Sequence, residues 1–397
     1  MDISELVSKN DKYILNTYNR KKICFKSGKS ATLIDTNNKT YIDFLSGLGV
    51  NNLGYSHPVF LKAIEDNYKN IIHTSNLFHI ESQVKLAKLI GEKSFEGKTF
   101  FCNSGAEANE AALKLIKKFG KENNKKKIIA LKNSFHGRTL GALSLTGQSK
   151  YQDNFQPLIN NIKFIDGNNI EELKNSIDDD TAGIFFEMIQ GEGGVYPLSN
   201  NFIQEIQKLK LKFNFIVVVD DIQAGLSRTG KVFSFENYNF IPDIFTFAKA
   251  MAGGLPIGGM HVCDKFTDVL VPGDHASTFG GGQFITSVAL KVFSYLSSDD
   301  FLNKLKKTKE YFNSKIFLLM EKYISIIDYR GMGLMRALEF ENLSTNKIFE
   351  KSLNNGLIVN SINDKMIRFL PPLVITDDEI DEGFKILDSS IKEVMNE

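Results

Sequence analysis

Six short apolar runs alternate with helix-forming stretches through the middle of the chain, a pattern that folds into a mostly parallel sheet covered by helices. The runs are Thr99–Asn103, Lys127–Leu131, Ala182–Met188, Phe215–Asp220, Ile244–Phe247 and Ile257–Val262, with helical periodicity at Ala106–Lys121, Ile170–Ile177 and Asn201–Lys212. The two ends read differently. Ala31–Asp35 and Thr40–Phe44 flank Thr36-Asn37-Asn38-Lys39, a hairpin signature. Beyond about residue 286, the helices Phe301–Lys322 and Asp377–Met395 accompany apolar runs at Ile324–Asp328 and Met335–Phe340. The expected organisation is one large α/β domain over 56–284, with residues 1–55 joining 285–397 in a smaller α+β domain.

Composition narrows the function classes. With 42% hydrophobic and 24% charged residues, the 397-residue chain has the make-up of a soluble globular protein. The 48 Lys+Arg against 47 Asp+Glu leave a net charge of +1, so no global field draws it to nucleic acid or an anionic membrane. Runs such as Phe215–Val219 are far shorter than the ~20 residues of a membrane span. The opening MDISELVSKNDKY has no apolar core of a secretory signal. Cys24, Cys102 and Cys263 form no CxxC pair, so a reducing compartment, the cytoplasm, is expected. The six histidines include no HxxxH pair, which disfavours a zinc enzyme, and no metal is expected.

In open α/β sheets ligands bind beyond the carboxyl ends of the strands, so the residues following each run carry the chemistry. Ser104-Gly105-Ala106 opens a helix whose free N–H groups suit a phosphate, or is a well-capped helix and nothing more. Phe135, His136 and Arg138 crowd behind one strand, where they could stack on a flat ligand and grip a carboxylate, or form a surface loop. Glu187 near a strand end precedes Gln190-Gly191-Glu192-Gly193-Gly194, a tight turn with or without a ligand beside it. Asp220-Asp221 ends a strand that is apolar on both faces, and successive residues there point to opposite faces. A buried carboxylate at such a place needs a cationic partner. Lys249 ends another apolar strand, where a desolvated amine has a lowered pKa and suits a Schiff base. Gly225–Lys231 matches GxxxxGK, but Val232 stands where a P-loop needs Ser or Thr, and the motif shares its strand with Asp220.

A phosphate cradle, an aromatic platform, a buried aspartate and a buried lysine 29 residues later are together what pyridoxal phosphate requires. From Tyr18 onward the chain resembles a class III aminotransferase of the fold-type I pyridoxal phosphate enzymes. The resemblance is carried by His73–Phe78, Asn103–Ala112, Ser134–Leu143, Gln190–Val195, Asp220–Gly230, Ser277–Gly281 and Arg368–Leu373. It implies that Lys249 forms the Schiff base and later shuttles the substrate proton, that Asp220 pairs with the pyridinium nitrogen, and that Gln223 bonds the ring's phenolic oxygen. Phe135 would stack on the ring, Gly105 and Ala106 would hold the phosphate, and Asp221 and Ile222 would complete the cofactor shell.

Thr278 would reach the phosphate from a neighbouring subunit, with Ser277 at the substrate, making a homodimer with shared active sites. Arg138 would bind a substrate carboxylate. Arg368 would bind the α-carboxylate of 2-oxoglutarate and pair with Glu192 otherwise. The activity implied is transfer of the terminal amine of N2-acetyl-L-ornithine to 2-oxoglutarate. Ornithine, succinylornithine, succinyl-diaminopimelate and 4-aminobutyrate are alternative donors, and an aminomutase or racemase is a rival reaction. Arg138 argues against putrescine. Departures from the family pattern are Met188 for proline, Asp221 for glutamate, Ser227 for glycine and Gly282-Gln283 for Asn-Pro.

Overall fold

A computed structural model describes residues 2–397. Its centre is a seven-stranded sheet of β1 (Gly97–Cys102), β2 (Lys127–Leu131), β3 (Ile162–Ile165), β4 (Thr181–Phe186), β5 (Ile216–Asp220), β6 (Ile244–Phe247) and β7 (Gly258–Cys263). The strands lie in the order β1-β7-β6-β5-β4-β2-β3. β7 runs antiparallel to both its neighbours, while β6, β5, β4, β2 and β3 pair in parallel. Every residue of β4, β5 and β6 is buried, which is why these strands read as unbroken apolar runs rather than alternating ones.

The sequence-based reading of the strands needs correction at several points. Asn103 lies beyond β1, and β4 stops at Phe186, leaving Glu187 and Met188 in the loop that precedes a two-residue strand, Ile189–Gln190. The edge strand β3 went unpredicted: four residues after an Asn-Asn pair give too short a run to stand out.

The chain ends build a second unit. Phe25–Lys29, Thr32–Asp35 and Thr40–Asp43 form an antiparallel sheet, and Thr40–Asp43 pairs in parallel with Leu357–Ile358 from the far end of the chain. Ile326–Met332, Met335–Phe340, Met366–Phe369 and Asn360–Ile362 make a four-stranded antiparallel sheet in that order. The helix Gln283–Leu296 serves both units, since Ala289 and Phe293 join the core around the large sheet while Val288, Val292 and Leu296 join the other.

The segment that imitates a P-loop has a structural task. Arg228 is fully buried and donates to the carbonyls of Leu334 (3.1 Å) and Pro371 (2.5 Å) and to Asn52 Oδ1 (2.6 Å). It thereby joins the N-terminal segment, the large unit and the C-terminal unit. Burial lowers its pKa to about 9, opposed by nearby Asp43. Ser227, in place of the family glycine, adopts φ +69° and is held there by a 2.8 Å bond from its Oγ to Leu296 O. Gly282 and Gln283 cap and begin the helix Gln283–Leu296; the first helical position also suits the proline usual there, because its N–H has no partner within the helix.

Candidate active site

A cavity of about 450 Å³ opens at the carboxyl ends of β1, β5 and β6. Gly105, Ala106, Phe135, Arg138, Glu192, Asp220, Ile222, Gln223 and Lys249, all singled out from the sequence, line it. Arg368 is not in the wall; it reaches the site through Glu192. Ser277 and Thr278 lie outside, Ser277 accepting a 3.1 Å bond from Asn103 Nδ2. Asp221, just past the end of β5, does not line the cavity; its side chain points away from that of Asp220. Instead Asp221 is buried against the N–H and hydroxyl of Ser234.

The helix Gly105–Glu122 begins at the floor of the cavity. Ser104 caps it: its Oγ accepts from Glu107 N (3.2 Å) and its carbonyl from Ala108 N (3.1 Å). The N–H groups of Gly105 and Ala106 then meet no acceptor among the described residues. Two free donors at a helix start form an anion site. Gly105 leaves room for the Ile222 side chain: a Cβ there would sit 2.7 Å from Ile222 Cδ1 and push it aside.

Asp220 is fixed from behind. His136 Nδ1 lies 2.7 Å and Asn109 Nδ2 2.8 Å from its Oδ2, while Thr246 Oγ1 donates to Asn109 Oδ1 at 2.7 Å. Ile222 N meets Oδ1 at 3.1 Å. One carboxylate is thus oriented by three neighbours and still faces the cavity. Asn109, His136 and Thr246 carried no assignment from the sequence. His136 was visible as part of the Phe135–Arg138 cluster, whereas Asn109 and Thr246 are brought to Asp220 only by packing.

Lys249 has φ +46°, a left-handed conformation unusual for a side-chain-bearing residue and frequent at functional sites. Its Nζ has no hydrogen-bond or ion-pair partner among the described residues. The protein packed around it desolvates the amine and lowers its pKa to about 8, reinforced by Arg368 and opposed by Glu192, Asp220 and Glu187. Glu187 also lines the cavity, accepting from Phe135 N (3.2 Å) and Gly191 N (3.3 Å). Burial, with Asp220 adding to it, pushes its carboxyl well above the usual range.

Two arginines lie at or beside the cavity. Arg138 is exposed at the cavity, its guanidinium 4.0 Å above the Tyr151 ring. Arg368 is buried and pairs with Glu192 at 2.6 Å, and it also donates to Gly191 O (3.2 Å). Burial alone would raise the Glu192 pKa; the Arg368 guanidinium outweighs it and holds the carboxyl below its ordinary value.

An unpaired, desolvated lysine, an oriented aspartate, free helix-start donors and an aromatic beside them meet the demands of pyridoxal phosphate, so fold and site define a fold-type I enzyme of that cofactor. Residues 14–391 match the family described as aminotransferase class-III, and the chain belongs to that family. It is similar to the acetylornithine aminotransferase of Caldanaerobacter subterraneus subsp. tengcongensis, 41% identical over 98% of this chain and 100% of that protein. The acetylornithine aminotransferase of Methanocaldococcus jannaschii is 40% identical over 96% of this chain and 97% of its own length. Among solved structures, the ornithine aminotransferase of Toxoplasma gondii superposes with TM-score 0.93 at 28% identity, covering 99% of this chain and 95% of that one. The N-acetylornithine aminotransferase of Stenotrophomonas maltophilia superposes with TM-score 0.85 at 28% identity, over 98% of this chain and 99% of that one.

Proposed function

We propose that the protein transfers the terminal amine of N2-acetyl-L-ornithine to 2-oxoglutarate, giving N-acetylglutamate 5-semialdehyde and glutamate, a step of arginine biosynthesis. The observation that carries this reading is the 2.6 Å pair between Glu192 and buried Arg368. One pocket must accept an amine-bearing chain and then a dicarboxylate, and an arginine whose charge can be covered and uncovered serves both. An isomerase would have no use for such a pair. The names of the relatives at 40–41% identity support the same donor.

Bound pyridoxal phosphate supplies a carbonyl for the amine and a protonated ring that draws electrons from the neighbouring carbon. Gly105 and Ala106 N–H groups would hold the phosphate, with Phe135 and Ile222 against the ring. Asp220, oriented by His136 and Asn109, would face the ring nitrogen and favour its protonated form. Gln223 would serve the phenolic oxygen. Lys249 Nζ would hold the cofactor's carbonyl carbon and would move the proton of the donor's amine-bearing carbon. Arg138 binds the donor's α-carboxylate. Arg368, released from Glu192, binds the α-carboxylate of 2-oxoglutarate.

The second subunit belongs to this reading. Ser277 and Thr278 lie outside the cavity of their own chain, next to exposed Phe279, and the segment 68–84 alongside exposes Leu77 and Phe78. Asn76 Nδ2 ties that segment to Gly280 O at 2.8 Å. A homodimer covers this apolar surface and delivers Thr278 of the partner subunit to the phosphate. The proposed division at 1–55, 56–284 and 285–397 is supported by the two cores either side of the helix Gln283–Leu296, with Ala63 packing into the core of the chain ends. A cytoplasmic setting suits the three free cysteines.

The deciding experiment mixes the cofactor-loaded protein with single donors and follows its absorbance without any oxo acid. Acetylornithine should convert the cofactor faster than ornithine, 4-aminobutyrate or putrescine. Faster conversion by another donor would replace the substrate, and an unchanged yellow band with every donor would overturn the aminotransferase reading.

A further inference from the structure

Glu192 sits in a short hairpin: Ile189–Gln190 pairs with Tyr196–Pro197, Gln190 opposite Tyr196, and residues 191–195 form the turn. Left to itself such a turn is loose, being rich in glycine, with Gly194 at φ +120° and Val195 at φ +59°. Two arginines of the C-terminal sheet hold it. Arg368 takes the near end, donating to Gly191 O and pairing with Glu192. Arg330 takes the far end: its Nε donates to Gly194 O at 2.9 Å and its guanidinium lies 3.9 Å over the Tyr196 ring.

The register explains how both reach one turn. Arg330 and Arg368 are each the cross-strand partner of Ala337, one on either side of it. Cross-strand partners share a face of the sheet, so the arginines stand on the same face, about 10 Å apart, with a small residue between them. Their anchoring differs. Arg368 has one acidic partner, Glu192, which it must exchange for substrate. Arg330 has two that are not in the cavity, Asp328 (2.5 Å) and Glu339 (2.6 Å), and its side chain is only 9% exposed. Gly194 adds to the fixed end, since a Cβ there would meet Met366 Sδ at 2.8 Å.

We propose that Arg330 is a positioning residue for the Glu192–Arg368 gate: it pins the far end of the turn, sets how firmly Glu192 covers Arg368, and so sets discrimination between a dicarboxylate oxo acid and the amine donor. This rests on the gate reading given above. A firmly held turn keeps Glu192 on Arg368, so a dicarboxylate has to displace it; a loosened turn shifts the population toward the uncovered arginine.

The probe is glutarate, an unreactive dicarboxylate, titrated calorimetrically into the cofactor-loaded holoenzyme. R330Q should bind glutarate about tenfold tighter, with R330K between it and the parent. kcat/KM for the donor should fall while that for 2-oxoglutarate holds or rises. E192A should also tighten glutarate, and adding R330Q to E192A should change nothing more, because Arg330 acts through Glu192. R330Q and R330K without effect while E192A tightens binding would overturn the role of Arg330 alone, as would additive effects in the double variant. E192A without effect would overturn the gate, and this inference with it. Should R330Q not fold, R330K carries the same comparison.

Discussion

At the scale of single residues, burial decides which groups are chemically available. Lys249 follows an apolar strand closely, and that placement alone announced a desolvated amine; what the sequence did not contain was its φ of +46° or its neighbours Glu192 and Arg368. With its pKa lowered to about 8, the amine is protonated and unreactive below that pH and free above it. In cofactor-free protein, reductive alkylation of Lys249 should therefore rise through pH 8, well before exposed lysines with ordinary pKa values near 10.5. Peptide mass mapping across pH 6–11 checks this, and a Lys249 profile matching the surface lysines would refute it.

Asp221 gives the opposite case. Burial raises its pKa from 3.8 to about 7, against the lowering effect of Ser234. The folded protein keeps this proton up to about pH 7 while the unfolded chain releases it near pH 4, so the folded state binds more protons in between and stability falls as pH rises across that window. The full extent is on the order of 4 kcal/mol. Urea unfolding at pH 5 and pH 7.5 should show stability moving in favour of Asp221→Asn at the higher pH.

At the scale of elements, the helix Gly105–Glu122 could be read from its first residues, because Ser104 is a good cap and the run after it is rich in Ala and Glu. Its use as an anion site could not, since that depends on which of its N–H groups the cap leaves free. The strands were legible for the same reason they matter: β5 and β6 are buried on both faces, and the charged residues at their ends, Asp220 closing β5 and Lys249 two residues past β6, have little to do there except chemistry. Asn109 went unseen because it lies inside the helix and meets Asp220, 111 residues later in the chain, only once the sheet has formed. Gly105→Ala tests the element directly. Alanine suits a helix better than glycine, so thermal unfolding should be little changed. The added Cβ, 2.7 Å from Ile222, should displace a wall of the cavity and weaken cofactor retention about tenfold on dialysis. Unchanged retention would mean that Ile222 yields without disturbing the phosphate site.

At the scale of the whole molecule, the alternating pattern led to the large sheet, and the contrast between the middle and the ends led to the second unit. The joining of residues 25–43 to Leu357–Ile358 follows from pairing more than 300 residues apart, which no local pattern specifies. The proposed dimer is of the same kind: nothing in the spacing of Ser277 and Thr278 would tell that they serve another chain. Phe279 is 66% exposed and Leu77 87% exposed, an apolar surface that the proposed dimer would cover. If the sites are shared, two dead variants should repair each other. Lys249→Ala removes the lysine from its own site, and Thr278→Glu places a carboxylate against the phosphate in the partner's site. Each homodimer should be inactive. A hybrid, isolated with different affinity tags, has one site with both defects and one with neither, so it should recover about half of the parent activity per dimer, because the two sites turn over independently. Activity no higher in the hybrid than in either homodimer would mean that Thr278 does not act in the partner's site, and the shared-site reading would fall.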